Sequence, residues 1–296
     1  MPTKRENFAQ SLRAQWLGVR MREHRERHKL TLQDVAPIVE HEFSTIARYE
    51  RALWPFPLPV LTMLLDVYGI VDERERDLLT EAARHSWRIN RWDADTGPSE
   101  VDVPFIDYSW VQARAREIWV YGATYVPALL QTRPYLETLT RAKEGDALPG
   151  FKFVNLVRAR MDLQKVLTTR PPVQVHALIE EAALRRPVGG VDMLRDQLEH
   201  LVKLGQRANV QVQILPPTVG EHPALDGPFT VLHMRGEYPP VVYLEHLGGR
   251  MLLEKERAAR YVSAYERLQE IAGSPSASTS RIEALAADID DAVQVS

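Results

Sequence analysis

Leu30-Thr-Leu-Gln-Asp-Val-Ala-Pro-Ile-Val-Glu-His-Glu-Phe-Ser-Thr-Ile-Ala-Arg-Tyr-Glu-Arg51 carries two short helical patterns that meet at a tight turn. Thr31 is followed three residues later by Asp34, a helix start resembling a capping box. Val35, Ala36 and Val39 then fall on one face. After a few polar residues a second helix is expected from about Glu42 to Glu50. Its Ile46 and Tyr49 turn inward, which leaves Phe43, Ser44, Thr45 and Arg48 facing out. A small residue, Ala36, suits a close crossing of two helices, and Ile46 fills the space between them. This is the arrangement of a helix-turn-helix, whose second helix lies in the major groove of DNA. Phe43, Ser44, Thr45 and Arg48 are therefore candidate DNA-contacting residues, with Thr31, Leu32 and Gln33 at the start of the preceding helix.

At Leu30, Thr31, Val35, Ala36, Val39, Ser44, Ile46, Arg48 and Glu50 the stretch resembles the Xre (lambda-repressor-like) regulators. The resemblance implies an all-α DNA-binding bundle. Leu32 and Phe43 depart from it, standing where that family usually places polar, base-reading residues. Glu40 takes the place of the turn glycine, so a side chain is expected at positive φ at a cost of about 1 kcal/mol. Pro37 lies several residues into the first helix, where it removes a backbone hydrogen bond and should kink or shorten that helix.

A chain of 296 residues leaves room for one large or two ordinary domains. A hydrophobic content of 45% is normal for a globular chain with real cores. The net charge of −3 rules out polyanion binding by bulk charge, but the distribution is uneven. Arg20, Arg22 and Arg25, with Lys4, Arg5, Arg13, Arg27 and Lys29, outnumber the acids Glu6, Glu23 and Glu26 of the first thirty residues. A basic segment directly before a helix-turn-helix is where phosphate contacts are expected, and Arg20, Arg22 and Arg25 are the candidates. The alternative is a solvated helix face. Cysteine is absent, which excludes disulfides, thiolate metal sites and cysteine nucleophiles. No apolar run reaches membrane-spanning length and the charged N-terminus is unlike a secretory signal, so the cytoplasm is the expected location. Neither a metal nor a cofactor is expected.

Five helices are expected to complete the first bundle by about residue 88, and residues 89–103, with Gly-Pro at their centre, read as a linker. Residues 104–272 read as an α+β regulatory domain. It opens with an expected helix from Phe105 to Val120, and further helices follow from Thr132 and over 151–168. From residue 172 the period becomes two. Strands are expected at Val173–Ala177, Val210–Ile214, Phe229–His233 and Val241–Glu245, the last returning as a hairpin through Gly248-Gly249 to Met251–Leu253. The helix 191–205 between the first two strands allows them to be parallel. A long helix at 254–272 precedes residues 273–296, read as a flexible Ser-rich tail with a short amphipathic segment, a candidate partner contact.

Tyr125-Val-Pro-Ala-Leu-Leu-Gln-Thr-Arg-Pro-Tyr135, Glu180-Glu-Ala-Ala-Leu-Arg-Arg-Pro-Val-Gly189, Leu215-Pro-Pro-Thr-Val-Gly220 and Val242-Tyr-Leu-Glu245 come in this order behind the helix-turn-helix. Together they resemble the WhiJ-like, antitoxin-like regulators, with Ala128 where that family usually has Gly. The resemblance implies a small protein encoded by an adjacent gene as partner. His222, Asp226, Glu245 and His246, polar groups in or near Gly-rich loops at strand ends, are the candidate ligand- or partner-binding residues. No spaced metal motif, phosphate-cradling loop or Gly-x-Ser-x-Gly stands out, so an enzyme is not expected. The expectation is a transcriptional regulator, a repressor acting as a homodimer on double-stranded DNA. The alternative is a partner-protein-binding regulator whose helix-turn-helix does not bind DNA unaided.

Overall fold

A computed structural model describes residues 12–85, 103–145, 148–235, 238–247 and 249–294. The chain divides into two compact units, Met1–Ser99 and Glu100–Ser296. The expected linker lies outside the described residues apart from Val103, as do Lys4, Arg5 and Gly248.

The described part of the first unit holds five helices: α1 (Leu12–Arg27), α2 (Leu32–Val35), α3 (Phe43–Glu50), α4 (Leu58–Val67) and α5 (Glu73–His85). Both halves of the capping box form, with the Asp34 amide donating to Thr31 Oγ1 at 3.2 Å and the Thr31 amide to Asp34 Oδ2 at 2.7 Å. Pro37 has no N–H to donate to the carbonyl four residues back, and α2 stops at Val35 after a single turn. Glu40 has φ 53°, as expected. Glu40→Gly should therefore raise the stability of this unit by about 1 kcal/mol, measured by denaturant unfolding followed at the bundle. A loss of stability would show that the Glu40 side chain makes a contact worth more than the strain.

The core joins Met21, Val35, Ile46, Leu61, Leu65 and Leu79, with each of the five helices contributing. Gly18 is what lets α1 lie against the end of α3. A Cβ there would stand 2.3 Å from the backbone oxygen of Glu50, so no larger residue fits without moving a helix.

The second unit is built on a six-stranded mixed sheet in the order β3-β2-β1-β4-β5-β6. The strands are β1 (Ala115–Gly122), β2 (Gln174–Glu180), β3 (Val210–Leu215), β4 (Phe229–Met234), β5 (Val241–His246) and β6 (Gly249–Leu253). β1 is central, parallel to β2 and antiparallel to β4. β2 and β3 are parallel as expected, and β5 and β6 form the expected hairpin. The helices are α6 (Val103–Gln112), α7 (Arg133–Glu144), α8 (Gly150–Leu163), α9 (Glu181–Leu184), α10 (Val191–Gly205), α11 (Lys255–Ile271) and α12 (Pro275–Gln294). α11 covers one face, where Ala258, Tyr265 and Leu268 pack with Tyr121, Leu178 and Val231. α6 packs on β1, β4 and β6, and Tyr108 stacks on Tyr243 with ring centroids 3.9 Å apart. Tyr243 alternates with Val242 of the α11 core, so α6 covers the opposite face.

Two expectations are corrected. The helix expected from Phe105 to Val120 ends at Gln112, and Ala115–Gly122 is the central strand. A central strand is buried on both faces, so Ile118-Trp-Val-Tyr121 shows no clean alternation and reads equally well as helix. The tail is not a flexible tether. Residues 275–294 form α12, which packs on α10 and β3 with Ser278, Ile282 and Leu285 buried. No described helix is long and apolar enough to cross a membrane.

Candidate nucleic-acid interface and a cleft in the second unit

α3 turns Ile46, Tyr49 and Glu50 into the bundle. Tyr49 is held among His41, Trp54 and Phe56, which fixes the helix about its own axis. The outward face then carries Phe43, 50% exposed, and Arg48, with Ser44 and Thr45 half-buried beside them. The Arg48 guanidinium lies 4.5 Å from the centre of the Trp54 ring, an arrangement that limits its swing and keeps it at the surface. Thr31 and Gln33 are exposed at the start of α2, whereas Leu32 is half-buried and packs against the core. Leu32 is therefore a packing residue first, which accounts for an apolar side chain at that position.

The three arginines of α1 have different fates. Arg22 is exposed and pairs with Glu26 on its own helix at 2.7 Å. Arg20 pairs with Glu23 and reaches Glu75 of α5 at 3.0 Å, where His24 also converges at 2.9 Å. Arg25, expected to meet phosphate, is corrected: only 7% exposed, it points into the bundle. Its Nε and Nη2 donate to the two carboxylate oxygens of Glu50 at 2.7 and 2.9 Å, and its Nη1 donates to the Leu30 carbonyl at 2.8 Å. The Glu50 hydrogen bonds raise the Arg25 pKa against the opposing effect of burial. A run of basic residues does not reveal which of them has a buried acid within reach.

In the second unit a cleft of about 90 Å³ opens at the carboxyl end of β1. There the chain leaves for β2 on one side, while β4 enters on the other. Such a divergence of connections leaves a crevice at the strand ends. Among the four candidate residues it brings in Glu245 of β5 directly. The Glu245 carboxylate accepts from Arg160 of α8 at 2.6 Å and faces Arg250 of β6 at 3.4 Å and Lys143 of α7 at 3.9 Å. Burial would raise the Glu245 pKa, but Arg160, Lys143 and Arg250 outweigh it and hold the carboxyl down to about 2.

His222 reaches the cleft only through a relay. It pairs with Glu180 at 3.0 Å, and Glu180 accepts from the hydroxyl of Tyr121, which lines the cleft. His222 Nδ1 accepts from the Ala224 amide, so its Nε2 carries the proton donated to Glu180. This pins the loop before β4. Asp226 and His246 are exposed and do not line the cleft. Glu180 and Glu181 diverge as adjacent residues should, since Glu181 pairs instead with Arg185 and Arg281. Lys143, Arg160 and Tyr125 were not singled out in the sequence. They lie on separate segments, and no spacing rule joins them.

A pair of helices at a tight turn, the second with one face in the core and the other outward, defines a helix-turn-helix protein. Residues 16–79 match the Helix-turn-helix domain family. Residues 105–284 match the Domain of unknown function (DUF5753), which spans more than half of the chain, and the protein belongs to that family. No curated protein and no solved structure matches the chain.

Proposed function

We propose that the protein is a sequence-specific DNA-binding transcriptional regulator, a repressor working in the cytoplasm as a homodimer, with the second unit receiving the control signal. The observation that carries this reading is the outward face of α3, with Arg48 held at the surface over Trp54 and Phe43 beside it. Arg48 reads a base or a phosphate, and Phe43 packs on a thymine methyl. Arg22 supplies a phosphate contact. The second unit is a binding domain without catalysis. The resemblance to the WhiJ-like regulators supports a small protein partner.

A second reading has its own support. Arg20 and Arg25 are engaged by Glu75 and Glu50, which removes positive charge from the expected phosphate face. Phe43 and Ile38 expose apolar surface at the turn of the motif. A regulator that binds DNA only together with its partner is consistent with both. Fluorescence anisotropy on DNA from the protein's own promoter region tests the two. Under the first reading Arg48→Ala weakens binding by roughly 1–3 kcal/mol without loss of helix content. Equal affinity of folded Arg48→Ala and wild type removes Arg48 from the interface. No binding by wild type until the partner is added selects the second reading.

A further inference from the structure

The two edges of the sheet differ. The outer side of β3 is occupied, since the Gly273 amide donates to the Ile214 carbonyl and the Ile214 amide donates to Ser278 Oγ. β6, at the opposite edge, pairs with β5 alone among the described strands. An open edge is normally blunted by a proline, a bulge or several charges. Gly249-Arg-Met-Leu-Leu253 contains no proline and runs through its pairs with β5 without a register shift. Arg250 is its one charge, and Met251 is 42% exposed.

The pairing fixes which backbone groups point outward. His246 and Gly249 are paired across a two-residue connection, which closes only if they exchange hydrogen bonds. The bonded pairs then alternate, Leu244 with Met251 and Val242 with Leu253. Leu252 lies between bonded positions, so its N–H and C=O point away from β5, and no described residue bonds them there. We infer that this edge takes the β6 edge of a second copy, antiparallel, about a two-fold axis at Leu252, so that the two sheets become one. The two Leu252 residues exchange N–H···O=C bonds across the axis. Side chains select this register. Met251 stands opposite Leu253 of the partner subunit and Arg250 opposite Glu254 of the partner subunit, so apolar meets apolar and cation meets anion. Glu254 has φ −134° and ψ 169°, which carries the extended backbone as far as this pair needs. Moving the axis by one residue sets Leu252 against Arg250 or Glu254. Moving it by two sets like charges against each other, Arg250 on Arg250 or Glu254 on Glu254. Within its own chain Arg250 meets Glu245 at 3.4 Å and Glu254 accepts from the Tyr238 hydroxyl at 2.5 Å. A guanidinium and a carboxylate have donor and acceptor capacity beyond one such contact. A self-complementary edge of this kind closes at two copies.

This locates the interface of the homodimer proposed above and rests on that reading. Light scattering on the full chain at micromolar concentration should give twice the mass of one chain. Met251→Lys charges the edge at an exposed position and should weaken self-association at least about tenfold, with an unchanged circular dichroism spectrum. The protein has no cysteine, so Leu252→Cys places the only thiols at the axis. The Cα atoms of a hydrogen-bonded antiparallel pair lie about 5.5 Å apart, within disulfide range, and mild oxidation should give a covalent dimer. Leu225→Cys, 68% exposed in the loop before β4, should stay largely uncoupled. The inference is overturned if the wild type is monomeric, if folded Met251→Lys dimerises as wild type does, or if Leu252→Cys couples no faster than Leu225→Cys. A wild-type monomer that binds the promoter DNA rejects this interface and keeps the regulator. A dimer coupled at Leu252 that binds no DNA keeps the interface and rejects unaided DNA binding.

Discussion

Glu50→Ala is expected to cost the first unit about 3–5 kcal/mol, enough to unfold it in a domain of ordinary stability. Two Arg25 nitrogens donate to the Glu50 carboxylate, and a third donates to the Leu30 carbonyl in the segment between α1 and α2. Both side chains are nearly excluded from water, at 9% and 4% exposure. Removing the carboxylate leaves a guanidinium charge buried without its partner, and that penalty, more than the lost attraction, sets the size of the effect. The paired substitution Arg25→Met with Glu50→Leu should recover most of the loss, since apolar groups of similar volume replace a buried ion pair at little cost. Urea unfolding of the full chain, with hydrogen exchange read at α1 and α3, gives both numbers. A Glu50→Ala variant within about 1 kcal/mol of wild type would mean that water reaches Arg25.

Truncation after Gly273 is the second large effect. Ile282 and Leu285 are 1% and 3% exposed, and burial of two aliphatic side chains is worth about 3–6 kcal/mol. The loss also falls on the sheet. β3 is an edge strand, and its outer backbone is closed by the residues around the start of α12. The Gly273 amide donates to the Ile214 carbonyl at 3.0 Å, and the Ile214 amide donates to Ser278 Oγ at 2.9 Å. Cutting at Gly273 removes Ser278 and uncovers the edge of β3, and an open edge recruits other strands. The truncated chain should melt lower and associate on size-exclusion chromatography. Arg281→Ala alone should do far less, because that side chain is half-exposed. A monomeric truncated chain with an unchanged melting temperature would restore the view of this segment as a tether.

Local physics determined much of this protein from the chain alone. The Thr31–Asp34 box, the helix cut short by Pro37, the positive φ of Glu40, the inward Ile46 and Tyr49 and the β5–β6 hairpin each follow from residues within a few positions of one another. Periodicity sufficed wherever one face of an element is buried and the other is wet. It failed at β1, where both faces are buried and no alternation survives. It also failed at residues 275–294, whose Ser-rich start suggests a spacer until Ser278 is seen to bond the edge of β3. Charge was the least legible feature. Arg20, Arg22 and Arg25 are equivalent in the sequence, yet Glu75, Glu26 and Glu50 divide them into a bridge between helices, a surface pair and a buried ion pair. The cleft follows the same logic. Glu245 stood out as a polar group near a strand end, but its cations come from α7, α8 and β6, segments up to about a hundred residues away. For pairs as distant as Arg25–Glu50, Arg20–Glu75 and Arg160–Glu245, which cation meets which acid is decided by packing, and only the tertiary structure holds that information.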